Sequence, residues 1–201
     1  MIQRLRQALS QRRKQYIADN DNRYELSAVL IPIYYKNGEY YILVTKRTDR
    51  VKAHKGQISF PGGTYEARDR RLVDTALREC AEEIGLTPDK VEILGELDDT
   101  VTETSNYIIS PFVGLIPYPY QFRINAEEIE EIIEIPVSAL LDKDRLHLEN
   151  KVKDGKAFTS YSYHYQGRVI WGATARILNQ FLHILVQAME DSQRDKCQAT
   201  D

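Results

Sequence analysis

The chain has 201 residues, 42% hydrophobic and 28% charged, a composition ordinary for one soluble globular domain with a real core and short for two. A net charge of −3 excludes a globally basic nucleic-acid coat while leaving room for a local basic pocket that takes a phosphorylated small molecule. No run approaches the roughly 18 consecutive apolar residues of a membrane span.

At the N-terminus, Arg4, Arg6, Arg12, Arg13 and Lys14 precede the first acid, Asp19. Such a basic start also suits an organelle presequence. Ile2, Leu5 and Leu9 at helical spacing favour a short amphipathic helix docked on the domain. Two apolar runs, Ala28 to Tyr35 and Tyr40 to Thr45, flank Asn37-Gly38, a dipeptide that tolerates positive φ at both positions, so a hairpin is expected. Residues 46–63 are charged and aperiodic and end in the chain-turning Phe60-Pro61-Gly62-Gly63. A helix follows, with Asp69 as its expected cap, Val73, Leu77, Cys80 and Ile84 as its buried stripe and Gly85 as its stop. Cys80 in that apolar slot, far from Cys197 and without metal-type spacing, reads as a buried reduced thiol, which fits the cytoplasm.

Strands are expected at Val91–Leu97 and Ile108–Ile116. The acidic Glu127 to Glu134 reads as a short helix or loop edge, and the alternating Tyr161, Tyr163 and Tyr165 as a half-buried strand. Ile170 to Met189, apolar at helical spacing, is expected to be a long closing helix, with a polar, frayed tail from Glu190. Without repeats or a linker, one α/β domain follows: a lead-in over 1–24, the domain over 25–189 and a tail over 190–201.

Chemistry concentrates in Arg78-Glu79-Cys80-Ala81-Glu82-Glu83-Ile84-Gly85-Leu86. At about 100° per residue Glu79, Glu82 and Glu83 share one arc, roughly opposite the apolar stripe. Carboxylates about 5–6 Å apart repel one another unless a cation sits between them, and Mg²⁺ is a hard, oxygen-seeking ion that suits them. Such an ion bridges to phosphate oxygens and neutralises charge on a leaving phosphate. The competing reading is a plain solvated acidic face with Arg78 as a surface partner of Glu82.

Taken together, residues 62–86 resemble the Nudix box, a glycine, a spacer acid and then Arg-Glu-apolar-any-Glu-Glu-any-Gly-apolar. The second half agrees at every defined position; in the first half Gly63 lies one residue too far from Arg78, and Asp69 stands near the place of the spacer glutamate. The departure resembles the coenzyme A diphosphatase subgroup, whose added signature is similar to Leu43-Val44-Thr45-Lys46-Arg47-Thr48, Lys52, Gly56 and Phe60-Pro61-Gly62-Gly63. Val44, Thr48 and Lys52 depart from that signature; Lys52 keeps the charge of arginine and loses its bidentate fork. The closing Ile170 to Leu178 is also similar to the end of that subgroup, so the resemblance spans roughly residues 25–185.

The resemblance implies an α/β (α+β) Nudix fold, a mixed sheet sandwiched between helices. It implies Mg²⁺, or Mn²⁺, held chiefly by Glu79 and Glu83, with Glu82 as a third ligand or a holder of water and the Gly63 carbonyl completing the shell. Gly62, Arg78 and Gly85 would be structural, with Arg78 orienting glutamates. Asn125-Ala126-Glu127-Glu128-Ile129 resembles the family's Asn-x-x-Glu-Val segment, which makes Glu128 the expected base; the alternative for Glu127, Glu128, Glu130 and Glu131 is an exposed acidic helix. Arg47, Arg50, Lys52, His54 and Lys55 form a basic loop suited to substrate phosphates, with Arg47, Arg50, Lys52 and Lys55 the chief candidates. Tyr161, Tyr163 and Tyr165 suit strand packing better than stacking on adenine, while His164 and His183 carry no signal. The expected reaction is hydrolysis of coenzyme A, or a derivative, to 3′,5′-ADP and 4′-phosphopantetheine. The expected partner is a small-molecule nucleoside diphosphate, with neither nucleic acid nor membrane, and a homodimer is compatible. Rival readings are another Nudix substrate (ADP-ribose, a dinucleotide, an acyl-CoA), a non-catalytic nucleotide sensor and a Nudix-fold isomerase.

Overall fold

The computed structural model describes residues 1–50, 55–153 and 155–198. In chain order the elements are α1 (Ile2–Gln11), β1 (Glu25–Lys36), β2 (Glu39–Arg47), β3 (Ile58–Ser59), β4 (Gly62–Thr64), α2 (Leu72–Ile84), β5 (Glu92–Glu96), β6 (Thr100–Val101), β7 (Tyr107–Leu115), β8 (Ile129–Pro136), α3 (Val137–Leu140), β9 (Leu146–Lys153), β10 (Lys156–Tyr165), β11 (Arg168–Trp171) and α4 (Gly172–Gln198). Asn37 and Gly38 both take positive φ, 51° and 89°, and close the expected β1–β2 hairpin.

The main sheet is mixed. β1 runs parallel to β7, and its opposite edge is shared by two antiparallel partners: β4 pairs with Ser27 to Val29, and β2 pairs with Ile33 to Lys36. Pro32, which has no N–H to donate, sits where the partner changes. That change opens a notch between β4 and β2, and the site is built around it. β8 extends the sheet beyond β2, and β5 and β6 pair with β7. A second, three-stranded sheet has the order β11-β10-β9.

Alternate side chains of the strands feed two cores. On one face Ala28, Leu30, Tyr34, Leu43 and Phe112 pack with Ala76, Cys80 and Ile84 of α2. On the other, Ile31, Ile33, Ile42 and Val44 pack with Leu5 and Leu9 of α1 and with Ile177, Leu178, Phe181 and Leu185 of α4. Helices thus cover both faces of a mixed sheet, as expected. No helix among the described residues is long and apolar enough to cross a membrane.

Several expectations are corrected. The acidic segment 127–134 is largely strand β8, because Ile129, Ile133 and Ile135 are buried while the acids interspersed among them find cations: Glu130 pairs with Lys46, Glu131 with Arg168, and Glu134 with Lys36. Ile170 and Trp171 do not open the closing helix; they pair with Tyr163 and Ser162 of β10, and α4 begins at Gly172. It runs to Gln198, beyond the Glu190 at which a tail was expected. Tyr163 is buried with its hydroxyl donating to Asn179 at 3.1 Å, and Tyr161 and Tyr165 pack on the same core, so these rings serve strand packing. The short strand β3 lies inside the stretch 46–63 that showed no periodicity, and β4 begins within it.

Candidate active site

The site begins with two adjacent glycines that do different work. A Cβ on Gly62 would stand 2.3 Å from the Ala28 carbonyl oxygen and 2.6 Å from Val29 Cα, so only glycine lets β4 lie this close to β1. A Cβ on Gly63 would stand 2.4 Å from the carboxylate of Glu79, so the bare Cα at this position makes room for that side chain. Gly63 and Glu79 are thereby brought together.

Helix α2 starts at Leu72 with Arg71 as N-cap; Asp74 accepts from the Arg71 N–H at 3.0 Å. Asp69, expected as the cap, is instead buried beneath the turn. It accepts from Arg78 Nε (3.1 Å) and Nη2 (3.0 Å), from Thr75 Oγ1 (2.9 Å) and from the Glu66 N–H (3.0 Å). The Arg78 guanidinium, followed by these other donors, holds the Asp69 carboxyl well below the usual carboxylate range. So anchored, Arg78 donates to the Thr64 carbonyl (2.9 Å), Glu79 (2.7 Å) and Glu82 (3.2 Å). These bonds bring Arg78 against both glutamates. Gly85 caps the helix in the left-handed region at φ 69°.

The three glutamates do not share one environment. Glu82 is exposed and paired with Arg68 and Arg78. Glu79 is largely buried, and that burial raises its pKa against the pull of Arg78. Glu83 is 2% exposed and points into the notch, correcting the expectation that all three face away from the core. It follows Cys80 by three residues, about 60° around the helix, and so falls at the border of the buried stripe. Val73 and Leu77 of the expected stripe are only half-buried. Glu83 accepts from the Gly62 N–H at 3.3 Å and from Arg47 Nη1 at 3.3 Å. Burial, only partly offset by Arg47, pushes its carboxyl up to about 8.

The segment 123–129 crosses the C-terminal end of α2. Arg123 N–H donates to the Ile84 carbonyl and Asn125 N–H to the Glu83 carbonyl, both at 2.9 Å. Asn125 then forms a turn whose side chain donates to Glu128 at 3.3 Å. Glu128 reaches the site, where its charge is felt by both Glu79 and Glu83. Of the basic loop, Arg47 lies inside the constellation, Arg50 pairs with Glu127 at the surface (3.3 Å), and Lys55 is exposed. Lys52 and His54 lie outside the described residues.

Among the described residues no three His, Cys, Asp or Glu side chains converge as a preformed cation cage; their oxygens turn to Arg47 and Arg78 instead. The donor set nevertheless fits a hard divalent cation. Two buried carboxylates stand beside a backbone with no side chain in the way, and their raised pKa values mark negative charge short of compensation. Local periodicity does not reveal Asp69 as the anchor of Arg78, and the resemblance sets Arg47 only against substrate. The spacing of Asp69 nine residues before Arg78 was a visible signal, but their contact depends on how the turn folds back.

Comparison with known proteins gives the family. The family model described as the NUDIX domain matches residues 24–158. The chain is 36% identical over 164 residues to a protein of Photorhabdus laumondii described as an uncharacterized Nudix hydrolase NudL, covering 82% of this chain and 85% of that one. A protein of the same description from Yersinia pestis is 38% identical over 152 residues, covering 76% and 75%. Among solved structures, the MutT/nudix family protein from Enterococcus faecalis superposes with a TM-score of 0.53 at 12% identity, covering 84% of this chain and 65% of that one. A NUDIX hydrolase from Alicyclobacillus acidocaldarius gives 0.50 at 19%, covering 60% and 82%. At such identities the structural likeness is one of fold alone. With the family match spanning most of the chain and relatives above one-third identity, this protein belongs to the Nudix superfamily and is a Nudix hydrolase.

Proposed function

We propose that this hydrolase cleaves the diphosphate linkage of coenzyme A or a derivative, giving 3′,5′-ADP and 4′-phosphopantetheine. One observation carries the reading. Arg47 and Phe60-Pro61-Gly62-Gly63, the residues that resemble the coenzyme A signature, meet the box helix around the β4–β2 notch, with Arg47 against Glu83 and Gly62 hydrogen-bonded to it. The signature and the box form one site.

Glu79 and Glu83 would hold Mg²⁺ (or Mn²⁺), with Glu82 and the Gly63 carbonyl completing its surroundings. When bound, the ion supplies charge neutralisation for the diphosphate and lowers the cost of the departing phosphate. The remaining work belongs to the chain. Arg78, fixed by Asp69, keeps Glu79 and Glu82 turned toward the site. Glu128 takes the proton of the attacking water as the new P–O bond forms and the bridging P–O bond breaks. Arg50, Lys52 and Lys55, the other cations of the resembling segment, would supply positive charge for substrate phosphates. The buried thiol of Cys80 suits a reducing, cytoplasmic setting.

The test is incubation of the purified protein with coenzyme A and Mg²⁺ and identification of products by mass, with Glu83→Gln as control. The expected result is 3′,5′-ADP with 4′-phosphopantetheine, lost in the variant. AMP from ADP-ribose or a dinucleotide, with nothing from coenzyme A, would instead assign another nucleoside diphosphate derivative. Silence on every diphosphate would favour a nucleotide-sensing module.

A further inference from the structure

Arg47 stands where the pairing of β2 with β8 changes register. From Tyr41↔Pro136 to Lys46↔Glu131 the ladder is regular, but the next pair is Arg47↔Ile129, so Glu130 is an extra residue on β8. Such a bulge re-aims the side chains around it. In a regular ladder Glu130 would stand opposite Arg47. Here Glu130 turns to Lys46 Nζ at 2.8 Å, and Arg47 is left to the site. Its Nη1 meets Glu83 at 3.3 Å and its Nη2 lies 4.0 Å from Glu128, while its Nε is buried without a partner among the described residues. The next residue reinforces the link: Thr48 N–H donates to the Glu128 carbonyl at 2.8 Å, and Thr48 Oγ1 to the Glu127 carbonyl at 2.9 Å.

We infer that Arg47 is a positioning residue: a guanidinium strut, aimed by the β8 bulge, that sets Glu128 against the glutamate helix. A fork with two separated nitrogens can face two carboxylates on different elements at once, which a lysine ammonium does less well. The β2 end thus holds the Glu128 turn from one side through Arg47 and Thr48. The α2 end holds it from the other through the Glu83 and Ile84 carbonyls. The inference rests on the proposed role of Glu128 as base, and it assigns the signature arginine to the alignment of that base, where the resemblance implied substrate binding.

The test is a double-mutant cycle in steady-state kinetics at saturating Mg²⁺, on whichever nucleoside diphosphate derivative the wild type hydrolyses. Glu128→Gln alone should lower kcat about 100-fold or more. Arg47→Met should lower kcat about 30-fold or more with KM within about threefold, and Arg47→Lys should recover part of the loss. The double variant should fall within about threefold of Glu128→Gln, because a strut has nothing left to align once the base is gone. Multiplying effects, a KM rise with kcat retained, or full activity in Arg47→Met would overturn the inference while leaving the base intact. Full activity in Glu128→Gln would remove the base and the strut together. If Arg47→Met does not fold by thermal melting, the same cycle is read with Arg47→Lys.

Discussion

At the scale of single residues, the site depends on side chains that share one helix in unequal surroundings. Glu82 is solvated, while Glu83 is a buried carboxyl whose ionised form the fold leaves short of compensation. The two glycines of β4 offer a separation of folding from catalysis. In Gly62→Ala the new methyl meets backbone that cannot turn aside. The expected outcome is a loss of about 2 kcal/mol or more, read as a lower urea midpoint. In Gly63→Ala the methyl's nearest neighbours are the carboxylate atoms at the end of Glu79, which can rotate away. That variant should fold with an unfolding temperature near the wild type, yet lose about 100-fold in kcat, the scale of a 1 Å misplacement at a reacting centre. Equal losses of stability in both variants would remove the distinction.

At the scale of elements, the turn between β4 and α2 is held by Asp69, and its energetics carry a pH signature. The Asp69 carboxyl is depressed chiefly by Arg78, so the unfolded chain takes up the proton first as pH falls. The stabilisation is therefore complete above the ordinary carboxylate value of about 4 and drains away below it as pH drops toward the folded value. Asp69→Asn should cost about 3 kcal/mol at pH 7, as expected for breaking a buried ion pair, and the gap to wild type should narrow below about pH 4 in denaturant titrations. A gap that is constant with pH would mean the carboxylate charge is not what holds the turn. The β8 strand teaches a related point: acids at three of its eight positions look like a solvated edge until Lys36, Lys46 and Arg168 arrive from other elements to meet them.

At the scale of the whole molecule, the site sits on one side of a sheet whose opposite face is closed by α1 and α4. Leu5 is fully buried in that second core although it lies in the first helix of the chain, ahead of the family-matched segment. Arg12 and Lys14 fasten the exit of that helix to Asp98, Glu96 and Asp99. The N-terminal helix is thus part of the folded body. Leu5→Ala should cost about 3 kcal/mol in urea unfolding while kcat below the transition stays near wild type, because the cavity opens on the face away from Glu79 and Glu83. A small cost would mean that the rest of the core closes without α1.

From the sequence alone, the β1–β2 hairpin, the amphipathic α1, the box helix and its glycine stop were legible, because each is written in local period or turn chemistry: Asn37-Gly38, Leu5 with Leu9, and Cys80 with Ile84 before Gly85. The Nudix resemblance and the names of the box glutamates were legible for the same reason, since their spacing is local to one helix. Tertiary structure alone decided that Glu83 is buried, that Asp69 anchors Arg78, that segment 129–136 is a strand, and that Arg47 faces Glu83 and Glu128. Each of these depends on contacts between elements far apart in the chain, where burial and a partner's charge outweigh local propensity.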